Sequence, residues 1–567
     1  MTKIYLAKTK IKPLDIDANR QKADAEIKKA VARGAKIIAF PVGFLTGTDL
    51  GILADKDYFA EIYNETVLKL SAENKGIVIL ADCRDTDFAA RFYLNGELLD
   101  LGDSDGLEID GCRIRAYDLA EMMALDTYTM CENGFELPDC MILTESAPVV
   151  AGQRALLKKL LEKIHRSTGA TVIANLGGRG FTSHPYVYMP CAAVIDEDID
   201  IFTRTEKEYF ESESVYEITT GVNGTGEYEW RDGGELEFSE SYNKNPLIPT
   251  DVDEKEYCLD LFGLQTKALA DRLSNIGCKS AVVAVSGGLD SALALLVTVN
   301  AFDSLGLDRR GIHPVSMPGF GTSSTTKNLG RQLIESLGFE FKTIDITKAC
   351  AQALADIGHD GVTPDVTFEN VQARMRTVNG LNMANALGGL FIGTGDLSEE
   401  ALGFATYGGD RLASYNVNSS VSKTVIRTML PYVVGLSNLS AAAERINGIL
   451  NIPVSPELVP HGGEILQKTE EILAPYKLID FYIYCFAVAG ISPSEMTAKA
   501  KEVFGEEFAD EYLKEKAEMF CRKFISGRFK RSCSPEGAIT THARLIGADK
   551  NIPSDSSMGF FAKALNR

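Results

Sequence analysis

The stretch SAVVAVSGGLDSALALL, residues 280–296, constrains the fold of this chain more than any other. Its apolar first half predicts a buried strand that ends in a turn at residues 286–288, and an apolar helix begins near Asp290 and Ser291. The glycines of the turn allow close approach to the backbone, and the first helical turn directs amide N–H groups and the positive end of the helix dipole at a ligand. The pattern predicts an α/β unit that binds a phosphate or pyrophosphate group.

Two better-known glycine loops do not fit these residues. A Walker A loop requires Gly-Lys-Ser or Gly-Lys-Thr, and no lysine lies between Lys279 and Lys327. A dinucleotide-binding fingerprint requires G-x-G-x-x-G, which is absent from this turn. The turn is therefore either another kind of phosphate-binding loop or an ordinary strand–helix connection, since a bare Gly-Gly occurs in both.

Composition narrows the classes of partner. The formal net charge is −21, which disfavours a nucleic acid, because binding a polyanion needs clustered Lys and Arg. Eleven cysteines occur without a CxxC pair, which is typical of reduced intracellular thiols and not of a disulfide framework or zinc site. The sequence shows no signal-peptide region and no uncharged run of membrane-spanning length. These features predict a cytoplasmic protein without a membrane or nucleic-acid partner.

The chain is too long for one hydrophobic core, since its 567 residues exceed the size at which chains divide into domains. Residues 1–218 alternate short apolar strands with helical patterns and predict a layered α/β domain. Residues 219–256 lose this periodicity, are rich in Gly, Glu, Asp and Asn, and predict a linker. Residues 257–450 are predicted to form a second α/β domain, and residues 451–567 its helical C-terminal part.

The turn at 286–291 has the SGGxDS form that N-type ATP pyrophosphatases use, and further blocks follow it in order. These blocks are MPGFGTSSTTKN (317–328), DIGHDGVTPDVTFENVQARMRT (356–377), GTGDLSEEALGFATYGGDRLASYNVNSSVSKT (393–424), QKTEEILAPYKLIDFYIY (467–484) and RFKRSCSPEGA (528–538). Together they resemble NAD synthetase of the long, glutamine-dependent type, over essentially all of residues 257–567. The resemblance implies a doubly wound parallel-sheet ATP pyrophosphatase domain with a helical C-terminal extension.

The same resemblance implies a reaction and its participants. The reaction is ATP-dependent amidation of deamido-NAD through an acyl-adenylate, which gives NAD, AMP and pyrophosphate, with Mg²⁺ as cofactor and ATP as co-substrate. The implied ATP-binding residues are Ser286, Gly287, Gly288, Asp290, Ser291, Met317 and Thr394. The implied deamido-NAD-binding residues are Arg374, Arg376, Glu399, Asp410 and Lys423. Of these residues, Asp290 and Glu399 are expected to hold the metal ion, and Asp410 and Lys423 to take part in catalysis.

The pattern of residues 1–218 resembles, more weakly, the nitrilase-type amidase domain of the long synthetases, an α/β/β/α sandwich. Such domains hydrolyse glutamine with a Glu base, a Lys and a Cys nucleophile. In AKIIAFPVGFLTG the position of the Glu is occupied by Val42, and in CRIRAYDLAE the position of the Cys is occupied by Ala116. No lysine occurs between Lys75 and Lys158. Cys131 is followed by Glu132 but lies too close to Pro148 for the spacing of the family, so we interpret it as an inert thiol.

Our hypothesis from the sequence is an intact synthetase fused to an amidase domain that has lost its triad. It would take ammonia directly or receive it from a separate glutaminase, and the family implies a homo-oligomer. Two alternatives stay open: a glutamine-hydrolysing NAD synthase whose amidase site is misaligned in this interpretation, and a non-catalytic nucleotide-binding protein. The chain also departs from the family at Ser422, Met375 and Arg411, where a proline, a glutamate and a histidine respectively are common.

Overall fold

A computed structural model describes most of the chain in two compact units. The described residues are 2–8, 11–12, 14–47, 57–83, 90–99, 101, 106–118, 138–144, 146–148, 151–168, 170–179, 181–182, 191–196, 199–202, 214–218, 240–321, 324–452, 473–543 and 545. The first unit comprises residues up to 238, and the second comprises residues from 239 onward together with 150–152 and 181–185. Among the described residues no helix combines the length and apolarity that crossing a bilayer would require.

The first half of the chain alternates strands and helices. Its strands are β1 (Thr2–Leu6), β2 (Ile37–Ala39), β3 (Val78–Asp82), β4 (Ala90–Leu94), β5 (Glu97–Leu98), β6 (Leu107–Ile109), β7 (Cys112–Asp118), β8 (Cys140–Thr144), β9 (Ser146–Pro148), β10 (Thr171–Arg179), β11 (Phe181–Thr182), β12 (Cys191–Asp196), β13 (Ile199–Phe202) and β14 (Val215–Ile218). Its helices are α1 (Ile16–Ala32), α2 (Asp57–Glu73) and α3 (Gln153–Thr168).

Two sheets form the first unit. One sheet has the order β14-β1-β2-β3-β4-β5, and the other has β13-β12-β10-β8-β7-β6, with β9 paired to β10. In each sheet three central neighbours run parallel: β1, β2 and β3 in the first, and β7, β8 and β10 in the second. The remaining neighbours pair antiparallel, except for β9, which runs parallel to β10.

The cores of the first unit show its layering. Alternate residues of the two sheets, including Ile4, Leu80, Ile114 and Ile142, form one core between the sheets. The other face of the first sheet packs on α1 and α2 in a second core, while α3 packs on β10 and β12. This helix–sheet–sheet–helix arrangement confirms the predicted α/β/β/α sandwich.

The second unit carries the remaining elements. Its strands are β15 (Ala281–Ala284), β16 (Ile312–Ser316), β17 (Lys342–Thr343), β18 (Leu390–Gly393), β19 (Tyr415–Asn416) and β20 (Ala538–Ile539), the last pairing antiparallel with β11. Its helices are α4 (Glu254–Asn275), α5 (Leu289–Ser304), α6 (Ser324–Ser336), α7 (Thr347–Asp356), α8 (Val366–Ala386), α9 (Leu397–Leu402), α10 (Lys423–Val433), α11 (Ala443–Leu450), α12 (Tyr476–Ile483), α13 (Pro493–Phe504), α14 (Asp510–Ser526) and α15 (Arg528–Arg531). Single turns lie at Arg309–Gly311, Ser440–Ala442 and Tyr484–Val488.

The sheet of the second unit is doubly wound. Its order is β17-β16-β15-β18-β19 and every pair is parallel. The chain winds from β15 to β17 in one direction and returns to β18 and β19 on the other side of β15, so the strand order reverses between β15 and β18. Loops at the carboxyl ends of these two strands form the crevice where doubly wound sheets bind ligands. The predicted parallel-sheet domain with a helical C-terminal extension is confirmed.

Polar side chains begin several helices of this unit. Asp253, Asp365, Asp396 and Ser422 each accept a hydrogen bond from a backbone N–H in the first turn of the helix that follows, which satisfies amides that have no partner within the helix. The predicted linker, 219–256, is described from residue 240, and 240–253 contain no helix or strand. Because α4 begins at Glu254, the last three residues of the predicted linker are helical.

Candidate functional site

The glycine turn follows β15 and is held by its own serines. Ser291 Oγ donates to the Gly288 carbonyl at 3.1 Å and accepts from the Ser286 N–H at 3.2 Å, and the Gly288 N–H donates to Ser286 Oγ at 3.2 Å. Gly287 has φ +96°, a value that favours glycine. Gly288 is the N-cap of α5 and supplies no side-chain acceptor, so the first amides of α5 are left for a ligand.

A cavity of about 340 Å³ opens at the reversal point of the sheet. Nearly all predicted site residues line it: Ser286, Gly287, Gly288, Asp290, Ser291, Met317, Arg376, Thr394, Glu399, Asp410 and Lys423. Arg374 is the exception, because its exposed side chain donates to the Tyr407 carbonyl at 3.2 and 3.3 Å and is not among the residues that line the cavity. The structure therefore brings together every predicted contact except Arg374.

Lys423 is the centre of the charges in the cavity. Its ammonium, 1% exposed, lies 2.7 Å from Asp290 Oδ2, 2.5 Å from Asp396 Oδ2 and 3.2 Å from Glu399 Oε1. Burial alone would lower the Lys423 pKa, but the three carboxylates outweigh it and raise the pKa. The lysine is therefore fixed as a cation beside the glycine turn.

The acidic residues around Lys423 fit a divalent cation. Carboxylate oxygens of Asp290, Asp396 and Glu399 lie within 4.8 Å of one another, and when all three are ionised their charge exceeds that of the one ammonium by two. Asp290 Oδ1 is buried with no hydrogen-bond partner in the described part of the chain. Burial and mutual repulsion raise the pKa of Asp290 to about 7 and that of Glu399 to about 8. Hard oxygen ligands with excess negative charge are what Mg²⁺ prefers.

Asp396 was not predicted as a site residue, although its motif was quoted. Its Oδ1 accepts from the Glu399 N–H at 2.9 Å, so Asp396 is the N-cap of α9, and an Asp three residues before a Glu is a common helix start. Its Oδ2 lies beside Lys423 Nζ without the alignment of a hydrogen bond. A helix cap and a metal ligand look alike in sequence, and only the position of Lys423 distinguishes them.

Two asparagines of the YNVN segment also escaped prediction. Asn418 Nδ2 donates to the Asp290 carbonyl at 3.0 Å and to the Thr394 carbonyl at 3.1 Å. Asn416 Nδ2 donates to the Gly395 carbonyl at 2.9 Å. Both asparagines are buried, so they tie the loops after β15 and β18 together and fix the spacing of the cavity walls.

The basic C-terminal segment fixes α9 from its other end. Lys530 Nζ donates to the carbonyls of Gly403 and Ala405 at 3.0 and 2.8 Å. Arg531 Nη1 donates to the Glu400 and Ala401 carbonyls at 3.4 and 3.3 Å. These cations satisfy carbonyls at the negative end of the helix dipole, so RFKRSC holds the short helix that carries Glu399.

Asp480 joins the two helices that carry the charged cluster. Its Oδ1 accepts from Ser398 Oγ at 2.6 Å, and its Oδ2 accepts from the Thr424 N–H at 2.9 Å and from Thr424 Oγ1 at 2.6 Å. Ser398 Oγ in turn accepts from the Lys423 N–H at 2.9 Å. Burial raises the pKa of Asp480 to about 6. This residue holds the start of α10, and hence Lys423, against α9.

We expect Asp480→Asn to lower the rate of product formation about tenfold, because the amide NH₂ would face a donor where a carboxylate oxygen now accepts. The measurement is kcat for the ATP-dependent reaction described below, at a temperature where circular dichroism shows the variant folded. Asp510→Asn makes the same change at an exposed position and should leave kcat unaltered. Equal kcat values for both variants would contradict the role given to Asp480.

The loop at Val42 is filled with apolar side chains. Val42 is 5% exposed, and the rings of Phe40 and Phe44 stack with centroids 4.3 Å apart. Phe44 also contacts Tyr63 edge-on at 6.3 Å, while Gly43 at φ +78° keeps the tight turn. The position that the amidase resemblance assigns to the general base is therefore occupied by a buried valine, between Phe40 and Phe44 of an apolar core, and offers no proton acceptor.

The other predicted amidase positions are equally unreactive where they are described. Ala116 lies in β7, pairs with Ile142 of β8 and packs against the core between the sheets. Cys112 and Cys140 are fully buried, and burial raises the pKa of Cys112 to about 11, so it is a neutral thiol. Cys131 lies outside the described residues.

The doubly wound sheet, the glycine turn and the acidic cluster with its buried lysine define an α/β domain that has the features of a phosphate-binding site where the strand order reverses. Residues 263–518 match the family model described as NAD synthase. This match confirms, for residues 263–518, the resemblance to NAD synthetase that the sequence motifs predicted.

Relatives extend the comparison. The chain is 32% identical to the glutamine-dependent NAD(+) synthetase of Mycobacterium tuberculosis over 360 residues, which are 59% of this chain and 53% of that protein. It is 33% identical to the enzyme of the same name from Mycobacterium leprae, over 59% of this chain and 53% of that protein. The chain thus spans about half the length of the curated relatives it matches.

Solved structures share the fold along the whole chain. A glutamine-dependent NAD(+) synthetase from Cytophaga hutchinsonii superposes with a TM-score of 0.69 at 16% identity, covering 100% of this chain and 99% of that one. The synthetase from Acinetobacter baumannii, solved with adenosine diphosphate, superposes with a TM-score of 0.61 at 18% identity, covering 98% of each chain. At these identities the likeness concerns the fold of both units.

Proposed function

We propose that this protein makes NAD by ATP-dependent amidation of deamido-NAD, in the cavity at the reversal point of the second sheet. The observation that supports this most is that the phosphate-binding turn and three carboxylates meet around one buried lysine. A non-catalytic nucleotide-binding protein has no need to keep three carboxylates and an ammonium buried together at the cost of desolvating them.

The chemistry has two steps. An oxygen of the substrate carboxylate attacks the α-phosphorus of ATP, the bond to the bridging oxygen breaks, and pyrophosphate leaves. Ammonia then attacks the acyl carbon of the adenylate, AMP leaves with the electron pair of the broken C–O bond, and the nitrogen loses a proton. The protein mainly positions the reactants and neutralises charge.

Particular residues fit each task. Amides of the turn 286–288 and the first turn of α5 bind the phosphates that leave, and Lys423 stabilises the charge that develops on them. Asp290, Asp396 and Glu399 would hold Mg²⁺, which would supply positive charge to offset that of the phosphates. Burial raises the pKa of Asp410, which makes this carboxylate a stronger base for the proton that ammonia loses.

The nitrogen source we propose is free ammonia, or ammonia from a separate glutaminase. Two of the three amidase positions hold Val42 and Ala116, which supports this proposal. The third position requires a lysine, and residues 76–157 contain none. The names of the relatives favour the alternative, glutamine hydrolysis by this chain itself. A cytoplasmic location and homo-oligomerisation stay predictions from the sequence.

The direct test incubates the purified protein with ATP, Mg²⁺, deamido-NAD and ammonium. We expect NAD, AMP and pyrophosphate in equal amounts, and none of them when deamido-NAD is omitted. Release of ADP and phosphate, or binding of nucleotide without turnover, would contradict the proposal and favour another phosphoryl-transfer reaction or a non-catalytic role.

A further inference from the structure

The cavity holds a cation that the proposed reaction has not yet used. The basic side chains among the described residues that line it are Arg376, Arg411 and Lys423. Lys423 is surrounded by three carboxylates, and Arg376 donates through Nε to the Met317 carbonyl at 3.0 Å, after β16. Arg411 is different, because it adjoins Asp410 and carries a donor group that remains uncommitted.

Half of the Arg411 guanidinium is fixed by the protein. Its Nη2 lies 2.6 Å from Glu400 Oε2 and donates to the Glu399 carbonyl at 3.0 Å. The side chains of Arg411 and Glu400 are each 4% exposed, and Glu400 is also held by Ser534 Oγ. A buried, doubly bonded guanidinium has little conformational freedom left to lose when it binds a ligand.

The other terminal nitrogen of the guanidinium, Nη1, is buried and has no hydrogen-bond partner among the residues that the structure describes. A buried cationic donor left unpaired is costly and requires an explanation, of which a bound ligand is one. Arg411 lines the cavity, so a molecule bound there is a candidate for the missing acceptor.

Charge identifies that molecule. A carboxylate that enters the cavity meets Asp410 and Glu399, both negatively charged when ionised, and repulsion would exclude it without a cation nearby. Arg411 follows Asp410 in the chain and both residues line the cavity, so a ligand carboxylate that enters it meets the cation together with the acid. The group that becomes an amide must lie beside Asp410, if Asp410 takes the proton from ammonia.

We propose that Arg411 binds the carboxylate of deamido-NAD through Nη1 and thereby discriminates the acidic substrate from the amide product. This rests on the function proposed above. The carboxylate gains a charge-assisted hydrogen bond, whereas the neutral carboxamide of NAD gains a weaker one. Arg411 therefore favours binding of the substrate and release of the product from the same cavity.

The test compares binding of two ligands that differ only in this group. Isothermal titration gives Kd for deamido-NAD and for NAD with the full-length protein, and we expect the parent to prefer deamido-NAD. Arg411→Lys keeps a cation for Glu400 but loses the second terminal nitrogen. In this variant the ratio of the two Kd values should fall about tenfold or more, with Kd for ADP nearly unchanged.

A second variant guards against misfolding. Arg411→Gln combined with Glu400→Gln removes both members of the buried pair, so no uncompensated charge remains, and the same loss of preference is expected. Arg310→Gln, at a position where the side chain is 91% exposed, is the matched control and should keep the ratio of the parent.

Each result decides something. If both Arg411 variants weaken the two dinucleotides equally, or leave both unchanged, Arg411 only neutralises Glu400 and this inference is wrong while NAD synthesis still stands. If the parent binds neither dinucleotide and makes no NAD from ammonium, the proposed function fails, and the role of Arg411 fails with it.

Discussion

Lys423→Met is expected to lower the rate of NAD formation by about a thousandfold or more, with ammonium at saturation. The variant removes the positive charge that lies beside the glycine turn and leaves three buried carboxylates without their counter-ion. Loss of one electrostatic contact to a developing charge commonly costs two to three orders of magnitude in kcat. Here the same lysine also contacts the residues proposed to hold the metal ion, so we place the effect at the upper end of that range.

Stability has to be separated from chemistry in this experiment. Leaving a buried charge uncompensated is strongly destabilising, so Lys423→Met could lose activity merely by unfolding. The double variant Lys423→Met with Asp290→Asn removes one of the carboxylates and should recover much of the unfolding midpoint without recovering activity. Lys348→Met, an exposed lysine of α7, should retain both. Substantial activity in a folded Lys423→Met protein would contradict the catalytic role.

The fold of the second unit was predictable because its signals are local. A strand, a glycine turn and a helix follow one another within residues 280–296, and each is specified by hydrophobic period and turn chemistry. Asp290 and Ser291 could therefore be predicted as site residues from one short segment. Glu399 and Lys423 were predicted from the ordered blocks that resemble NAD synthetase, because their immediate neighbours in sequence would not have identified them.

What could not be predicted is contact between distant segments. Lys423 and Asp290 are 133 residues apart, and Asp480 and Ser398 are 82 apart. Nothing local distinguishes Asp396 as a metal ligand from an ordinary helix cap. From the sequence, Arg411 was only a departure from the family pattern. The structure shows that it is buried beside Glu400 and that its Nη1 has no hydrogen-bond partner among the described residues. Arg374 is the opposite case, since this motif residue donates to the Tyr407 carbonyl and does not line the cavity, and its role in binding deamido-NAD stays a prediction.

In the first unit, the loop at Val42 has the shape that the sequence predicted but carries no proton acceptor at that position. Gly43 retains the positive φ of a tight turn and Phe44 fills the core beneath it, so the strand–loop signal in AKIIAFPVGFLTG correctly predicted structure. Fold and catalysis are specified by different residues of the same segment. A Val in place of a Glu costs the fold nothing, because Val42 is buried among apolar neighbours where an ionised carboxylate would be expensive.

Glutamine is therefore expected to support no more NAD formation than the ammonium that contaminates it, while ammonium itself supports full turnover. Triad residues act as a unit, so loss of one member removes nearly all of the catalysis that the group provides, and two of the three positions hold Val42 and Ala116. The measurement is the initial rate of NAD formation with glutamine or with ammonium, alongside glutamate release as an independent readout of hydrolysis.

Two variants sharpen this result. Val42→Glu restores one member of the triad without its partners and should not restore glutamine use, and burying a carboxylate there should lower the stability of the first unit. Cys131→Ala should change neither nitrogen source, because a lone thiol without a base is not an effective nucleophile. If the parent uses glutamine efficiently and Cys131→Ala abolishes that use, the amidase site was misassigned and this chain supplies its own ammonia by hydrolysing glutamine. Equal rates in parent and Cys131→Ala, with no glutamate released, would leave ammonia as the substrate that the second unit takes.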